Sequence, residues 1–382
     1  MIFKMAIFIA ISLIVIILVA FLLIRIPALV IQAQADEDEK LRNLDGWLER
    51  IHKSDKFNGT VLLSKNGDVI FSKSYGHDGS DTRNLLTEHS SFNLASVSKQ
   101  FTAMGIMILH SKSKLDYNDK VSEYIPELSY YKDITIQHLL HHTSGLPDYM
   151  KLAGTHDNRE GVFTTSKMIS LYKKPHLSLN FEPGTKFQYS NAGYVLLAEI
   201  IERVSGASFQ SFMSAHIFKP LNMNDTQVFN LLSDNEPTKR VYGYKREYGP
   251  FGGKRLPHDL NYFDGVAGDG GIYSSAHDLN LWHKSLRYGI LVSNVSYQEA
   301  YKPAQLDNGS HNKYGFGWFI NSDNSVEHAG GWQGFTSYIH RNLEKDELIV
   351  ILDNSSNTLR VNSIGFRFNS IGLNLKYFMS TL

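Results

Sequence analysis

The sequence Ser96-Val97-Ser98-Lys99 opens an apolar stretch that runs to His110, and this stretch decides how the rest of the chain is interpreted. Apolar residues on nearly every side predict a buried helix from Lys99 onward. Positions i and i+3 share a face of a helix, so Lys99 would stand beside the Ser96 hydroxyl. Burial lowers the pKa of a lysine, so the neutral amine can accept the proton of a serine hydroxyl. The free N–H groups at the start of a helix can donate to an oxyanion. Since the four-residue pattern also arises by chance, it needs support from other motifs.

A second motif is Tyr189-Ser190-Asn191, which follows the turn former Pro183-Gly184 and directly precedes a helix predicted over residues 192–204. A phenol held nearer to its ionised form by a neighbouring ammonium can shuttle a proton, so Tyr189 is a candidate proton carrier. The Asn191 amide can hold a substrate carbonyl or amide. Alternatively, Tyr189 is a packed aromatic residue and Asn191 caps the helix.

The third motif is Glu327-His328-Ala329-Gly330-Gly331-Trp332, between two predicted strands. Glycines in a strand permit close approach by a ligand, and the free Gly331 N–H is a candidate second donor to an oxyanion. We expect the His328 imidazole to orient or hydrogen-bond the anionic end of a substrate. The alternative is a glycine-rich turn.

Strand patterns lie near both ends of the chain and helical patterns lie between them. Asn66-Gly67, the favoured composition of a type I′ turn, separates two strands of a hairpin. The pattern predicts an α+β fold in which both chain ends form one antiparallel sheet, flanked by helices and interrupted by a helical subdomain. Further strands are predicted over residues 314–320, 335–340 and 348–352, and helices over residues 41–52, 99–110, 192–204 and 276–286.

Composition excludes several classes of function. Lysine plus arginine equals aspartate plus glutamate at 38 each, and no basic cluster suggests nucleic-acid binding. The chain has no cysteine, which rules out a thiol nucleophile, cysteine zinc sites and disulfides. The histidines His138, His141 and His142 are close in sequence, but no acidic residue is placed as in a zinc signature, so no metal is expected.

The N-terminal residues 6–24 contain no charged residue and one polar residue, Ser12. As a helix this segment would be roughly 28 Å long, close to the hydrocarbon thickness of a bilayer. Lys4 precedes it and an acidic linker, Asp36–Lys40, follows, so the body of the protein is expected outside the cytoplasm. We therefore predict residues 1–35 as a membrane anchor and 36–382 as the catalytic domain. The alternative is a signal peptide cleaved after Ala33-Gln34-Ala35.

In order and spacing, the three motifs resemble those of the serine β-lactamase and penicillin-binding-protein superfamily, in its branch of class C β-lactamases, DD-peptidases and esterases. Residues 136–147, which include His-His-Thr-Ser-Gly-Leu, resemble the segment that follows the nucleophile helix in that branch. Residues 270–279, Gly-Gly-Ile-Tyr-Ser-Ser-Ala-His-Asp-Leu, resemble its later glycine-led helix start. The resemblance spans roughly residues 44–355 and implies a β-lactamase/transpeptidase-like fold.

The resemblance also implies roles by position. Ser96 matches the serine that is acylated, Lys99 the lysine that activates it, and Tyr189 and Asn191 the Y-x-N motif. Gly331 matches the strand position whose N–H completes the oxyanion hole with that of Ser96. His328 falls where β-lactamases of this branch have the lysine of K-T-G, and this departure favours peptidase or esterase chemistry.

The expected function is that of an extracytoplasmic serine hydrolase acting through an acyl-enzyme on D-amino-acid peptides, amides or esters, as in DD-carboxypeptidases and esterases. No cofactor is implied. The expected partners are a small-molecule or peptide substrate, such as a cell-wall peptide, and the membrane through the N-terminal helix. Two alternatives stay open: a β-lactamase, and a non-catalytic ligand-binding membrane protein of the same fold. The aromatic residues Trp332, Phe335, Tyr149 and Tyr273 line the substrate cleft or pack the core.

Overall fold

The structure is a computed structural model that describes residues 27–32, 34–156, 159–173, 177–249, 252–357 and 364–382. The chain divides into two compact units, one made by residues 1–56 and 362–382 and the other by Phe57–Val361. No helix of the described residues is long and apolar enough to cross a bilayer. The anchor predicted over residues 6–24 lies outside the described residues.

The first unit contains helix α1, Glu37–Lys53, and the C-terminal helix Ile364–Ser380. Helix α1 begins four residues before the predicted start, so most of the acidic segment is not a linker but its first turn. Asp36 caps this helix by accepting from the Glu39 N–H at 2.8 Å, and acidic residues suit the positive end of the helix dipole. Lys40 Nζ donates to the Thr381 carbonyl at 2.6 Å and so joins the two chain ends.

The second unit is built on a six-stranded sheet made of β1 (Gly59–Lys65), β2 (Asp68–Tyr75), β8 (Phe319–Ile320), β9 (Ser325–Trp332), β10 (Phe335–Asn342) and β11 (Glu347–Asp353). The strand order is β2-β1-β11-β10-β9-β8, and every neighbouring pair is antiparallel. Asn66 and Gly67 both have positive φ, at 54° and 83°, as the type I′ turn of the first hairpin requires. The predicted sheet from both ends of the chain is confirmed.

One predicted strand is mostly wrong. Of residues 314–320 only the last two form a strand, because Gly317 takes a φ of 79° and turns the chain. The His328 motif, expected between two strands, lies inside β9 itself.

Two small sheets accompany the main one. They contain β3 (Phe92–Asn93), β4 (Gln227–Val228) and β7 (Ile272–Ser274) in one, and β5 (Tyr244–Gly249), β6 (Gly252–Pro257) and β12 (Ser355–Asn357) in the other.

The helical region between the strands contains the helices that the sequence predicts together with several shorter ones. Gly206 and Gly289 end two of the long helices with φ values of 70° and 66°, as the αL caps of helices favour. The helices are α2 (Lys99–Ser111), α3 (Val121–Tyr124), α4 (Ile136–Leu140), α5 (Tyr149–His156), α6 (Thr165–Tyr172), α7 (Asn191–Ser205), α8 (Phe209–Met213), α9 (Ala276–Tyr288), α10 (Asn294–Ala300) and α11 (Ile364–Ser380, in the first unit).

Helix α2 is the central element of the second unit. Its residues Lys99–Leu109 are all buried, and it packs against α7. Burying an aliphatic or aromatic side chain contributes about 1.5–3 kcal/mol, so this helix is firmly held. The helical turn Ala95–Ser98 that precedes it packs against β9. The three sequence motifs therefore meet at one end of α2.

Candidate active site

Ser96 lies in a 3₁₀ turn, Ala95–Ser98, that continues into α2. Ala95 has a φ of 46°, a left-handed conformation that costs free energy for a residue with a Cβ. The Asn93 side chain holds it by accepting from the Ala95 N–H at 2.8 Å. This bend places Ser96 at the start of the helical stretch, where its N–H has no carbonyl of a preceding turn to bond.

Lys99 is fully buried behind the serine. Its ammonium donates to Ser96 Oγ at 3.1 Å, to Asn191 Oδ1 at 2.9 Å and to the Asp269 carbonyl at 2.7 Å. Burial lowers the pKa of Lys99 to about 8, and the negative charge of Asp269 opposes the decrease. A lysine with this pKa is partly neutral near neutral pH and can accept a proton.

Tyr189 differs from the sequence expectation. Burial raises the pKa of its phenol well above the usual range, although the neighbouring Ser96 hydroxyl acts in the opposite direction. The expectation of a phenol nearer to ionisation is therefore wrong. Lys99 Nζ lies over the face of the ring, 5.0 Å from its centre, and desolvation outweighs any effect of its charge. The buried Tyr189 hydroxyl has no hydrogen-bond partner of good geometry among the described residues.

Asn191 is the first residue of α7 and lines the same cavity as Ser96. Its amide oxygen accepts from Lys99, so the NH₂ group is the part that remains to bind a carbonyl oxygen. Asn191 is not the cap of α7, since Ser190 holds that position.

His328 is buried and is not among the residues that line the cavity beside Ser96. It is 1% exposed, and both ring nitrogens have partners within the protein. Nδ1 donates to the Ala329 carbonyl at 2.8 Å, so Nε2 is the acceptor for the Tyr314 hydroxyl at 2.9 Å. Burial and the charge of Lys99 lower the pKa of His328 to about 3, so the ring is neutral. The expected contact of His328 with an anionic substrate group stays a prediction, and it would require the ring to exchange one of these partners. Tyr314 is a residue of this network that the motifs do not reveal.

Gly331 has an N–H that points away from strand β10. The two-residue turn after β9 pairs Trp332 with Phe335, and the closing pair of such a hairpin is hydrogen-bonded. Because bonded and non-bonded pairs alternate, the Gly331–Thr336 pair is non-bonded and its N–H groups face outward. On that outer side β8 pairs with β9 only at Val326 and Glu327. The Gly331 N–H is therefore open to a ligand.

Gly330 sets how closely β9 approaches the nucleophile. A Cβ at this position would lie 2.3 Å from the Leu94 carbonyl oxygen and 3.0 Å from the Ser96 nitrogen. Only glycine permits this separation. The two candidate oxyanion donors, the N–H groups of Ser96 and Gly331, are thus held at one cavity.

The cavity beside Ser96 has a volume of about 210 Å³. Trp332 and Tyr149 line it, whereas Phe335 and Tyr273 are buried in the core. Sequence reasoning missed two lining carboxylates, Asp264 and Asp269. For Asp269 a signal existed, since it directly precedes the Gly270-Gly271 segment that resembles a family motif.

The histidines that follow α2 each bind main-chain atoms. His138 accepts from the Thr135 N–H, His141 bonds the Tyr314 carbonyl and His142 accepts from the Ser190 N–H, which holds the loop that carries Tyr189. Among the described residues, one group has metal-ligand spacing and lies apart from the cavity: His89, Asp225 and His277. Asp225 in that group already pairs with Lys239 and His89.

A serine at the start of a buried helix, a buried lysine beside it, and a glycine-containing strand of an antiparallel sheet next to both define a serine hydrolase of the β-lactamase/transpeptidase-like fold. Residues 44–368 match the family described as Beta-lactamase. The chain therefore belongs to the beta-lactamase family.

Its relatives include penicillin-binding proteins. Penicillin-binding protein 4* of Bacillus subtilis (strain 168) is 36% identical over 329 residues, which cover 83% of this chain and 72% of that protein. The octameric penicillin-binding protein homologue from Pyrococcus abyssi has a TM-score of 0.72 and 26% identity, covering 88% of this chain and 77% of that one. D-amino acid amidase from Ochrobactrum anthropi SV3 shares the fold, with a TM-score of 0.71 and 21% identity over 90% of this chain and 99% of that one.

Proposed function

We propose that the protein is an extracytoplasmic serine hydrolase that forms an acyl-enzyme on Ser96 with D-amino-acid peptides, amides or esters. The observation that carries the proposal is the fully buried Lys99 ammonium, 3.1 Å from Ser96 Oγ, with a pKa lowered to about 8. Desolvating an ammonium costs free energy, and its three hydrogen bonds offset only part of that cost, since the pKa is still lowered. The same desolvation lets the lysine act as the base for a serine hydroxyl.

In the proposed reaction Ser96 Oγ attacks the substrate carbonyl carbon and its proton passes to neutral Lys99. The N–H groups of Ser96 and Gly331 bind the oxyanion of the tetrahedral intermediate. Tyr189, whose phenol is protonated in the free enzyme, donates a proton to the departing amine or alcohol. The Lys99 ammonium then returns a proton to the Tyr189 phenolate. Water, or an amine acceptor, then resolves the acyl-enzyme.

The family and His328 support the proposed substrate class, and the N-terminal residues support the proposed location. Penicillin-binding proteins are named among its relatives, and a D-amino acid amidase shares its fold. His328 stands where β-lactamases of the resembling branch have the lysine of K-T-G, and this difference favours peptidase or esterase chemistry. The charge-free residues 6–24 support the extracytoplasmic location.

The test is covalent labelling of the full chain in detergent with a fluorescent fluorophosphonate and, separately, a fluorescent penicillin. Ser96→Ala should abolish labelling by both probes. Ser98→Ala is the matched control, since Ser98 lies in the same turn but is buried and accepts a hydrogen bond from the Ile272 N–H. This variant should still be labelled.

Each outcome has a defined meaning. Faster labelling by penicillin than by fluorophosphonate supports peptidase chemistry, and the reverse order supports esterase chemistry. Rapid release of the penicillin, with turnover of a chromogenic cephalosporin, would instead identify a β-lactamase. A folded protein that neither probe labels would contradict the proposal and favour a ligand-binding role.

A further inference from the structure

The cavity beside Ser96 is lined by two carboxyl groups and, among the described residues, by no basic side chain, although the Lys99 ammonium lies behind Ser96. Asp264 and Asp269 are the only charged side chains among the described residues that line it. Neither carboxylate forms an ion pair with a described residue. Two carboxylates that line one cavity attract a cation and repel an anion, and burial strengthens both effects.

Asp269 is 9% exposed and lacks a full set of partners. Its Oδ2 accepts from the Tyr149 hydroxyl at 3.0 Å, while Oδ1 has no partner in another residue of the described chain. Its negative charge also raises the pKa of Lys99, which opposes the use of that lysine as a base. Burial raises the pKa of Asp269, and the Lys99 charge opposes that increase. Lys99 thus offsets part of the cost of burying this carboxylate, and a cation bound in the cavity would offset more of it and would weaken the hold of Asp269 on Lys99.

Asp264 lies on the side of the cavity formed by β9. Its Oδ1 accepts from the Trp332 indole N–H at 2.7 Å, and its Oδ2 accepts from the Asn261 N–H at 2.5 Å. These bonds fix the carboxylate beside Gly331, the residue that precedes Trp332. Burial raises the pKa of Asp264 to about 6, so it remains ionised at neutral pH.

We propose that this cavity recognises the ammonium group of the substrate through Asp264 and Asp269. The substrate class is then amino-acid amides, esters or short peptides with a free amine near the scissile carbonyl, and not N-acylated peptides whose carboxylate would enter this cavity. The volume of 210 Å³ is below the roughly 300–1,000 Å³ of typical ligand pockets, so it suits a single residue-sized group. This inference rests on the proposed function, because it assumes that Ser96 attacks the bound molecule.

The test measures how small amides slow the labelling of Ser96 by a fluorophosphonate in the full chain. Alaninamide, which carries an ammonium, is compared with N-acetylalaninamide, which does not, each as D and L forms. We expect alaninamide of one hand to protect Ser96 at concentrations at least about tenfold lower, the effect of one favourable charge contact. Asp264→Asn and Asp269→Asn should each reduce this preference severalfold.

The control variant is Asp307→Asn, which removes the same charge from an exposed position outside the cavity and should keep the full preference. If Asp269→Asn does not fold, Asp264→Asn decides the result. Equal protection by both amides, or a preference that survives in both cavity variants, would overturn the inference while leaving the proposed function intact.

A failure of the proposed function would give a result that is distinguishable from a failure of ammonium recognition. In that case Ser96 is not labelled at all, and saturation-transfer NMR of the two amides with the full chain decides the inference alone. A stronger signal from alaninamide that is lost in Asp264→Asn supports ammonium recognition. Signals of equal strength contradict it.

Discussion

Burial changes the proton affinities of Lys99 and Tyr189 in opposite directions. Desolvation disfavours the charged form of each group, so the lysine loses its proton more easily and the phenol holds its proton more tightly. In the free protein Lys99 is therefore the acceptor and Tyr189 the donor. Lys99 can therefore take the proton of Ser96 while Tyr189 gives one to the leaving group, and proton transfer from Lys99 to Tyr189 restores both residues.

The rate at which Ser96 is labelled should depend on pH. A base acts in its deprotonated form, so the rate of fluorophosphonate labelling should rise with pH through about 8, the pKa of Lys99, and level off above it. Below pH 7 the rate should fall close to tenfold per unit. Stopped labelling reactions between pH 6 and 9.5, corrected for hydrolysis of the probe, measure the profile. A rate that does not change across this range would exclude Lys99 as the base.

The Tyr189 hydroxyl should be needed for turnover and not for folding. Tyr189→Phe should slow turnover of an amide substrate by roughly a hundredfold or more, because protonation of the leaving amine is lost. Folding should be unaffected, since the hydroxyl has no partner of good geometry among the described residues. Steady-state kinetics and thermal unfolding measure the two effects.

Tyr194→Phe is the matched control, because Lys99 also lies over that ring, at 5.7 Å from its centre. The Tyr194 hydroxyl donates to the Leu140 carbonyl, so its removal should lower the free energy of unfolding by about 1 kcal/mol. Turnover should change by less than tenfold. The assignment of Tyr189 would be wrong if the two variants lost activity equally.

At the scale of elements, the site depends on how closely β9 lies to the turn that carries Ser96. The close approach requires a residue without a Cβ at position 330, and the Ser337 hydroxyl, which donates to the Leu94 carbonyl at 2.6 Å, ties β10 to the same turn. Strand and helix start are thereby held as one rigid support for the two oxyanion donors.

Gly330→Ala should therefore disturb both stability and chemistry. Its Cβ would meet the Leu94 carbonyl oxygen at 2.3 Å, so the strand must shift, at a cost of about 1–3 kcal/mol in the free energy of unfolding. Ser96 labelling should slow by at least tenfold because the donors separate. Chemical denaturation and labelling rates measure the two effects.

Gly154→Ala provides the comparison for that variant. Gly154 lies in helix α5, and an added Cβ would meet only Arg159, at 4.0 Å. Here alanine should raise stability by up to about 1 kcal/mol, because it favours helix, and labelling should not change. Normal labelling in Gly330→Ala would show that the spacing of β9 and the turn is unimportant.

At the scale of the whole molecule, a prediction follows from residues 6–24 and the proposed catalytic unit. In cells that express the full chain, a membrane-impermeant fluorophosphonate should label Ser96 without lysis, and the labelled protein should sediment with membranes until detergent is added. The Ser96→Ala variant controls for background. Labelling that requires lysis would contradict the extracytoplasmic location, and labelled protein in the medium would indicate cleavage after Ala35.

Local geometry explains what could be predicted from the sequence. The proximity of Ser96 and Lys99 follows from their i, i+3 relation across the 3₁₀ turn and the first residue of α2. The Asn66-Gly67 turn follows from the tolerance of both residues for positive φ. The periodicity of the long helices and the strands at both ends of the chain predicted the antiparallel sheet. In each case the interaction that decides the structure lies within a few residues, or repeats along an element.

The tertiary structure alone decided how the distant motifs meet. Whether Tyr189 is ionised and whether His328 faces a substrate depend on burial, and burial depends on residues far away in sequence, such as Tyr314. Tertiary packing also places the carboxylates of Asp264 and Asp269 at the cavity beside Ser96. The sequence by itself determined the family and the serine–lysine pair, because those rest on residue order and helix geometry. Only the packed structure decided the protonation states and the charge of the cavity, because desolvation acts through space and not along the chain.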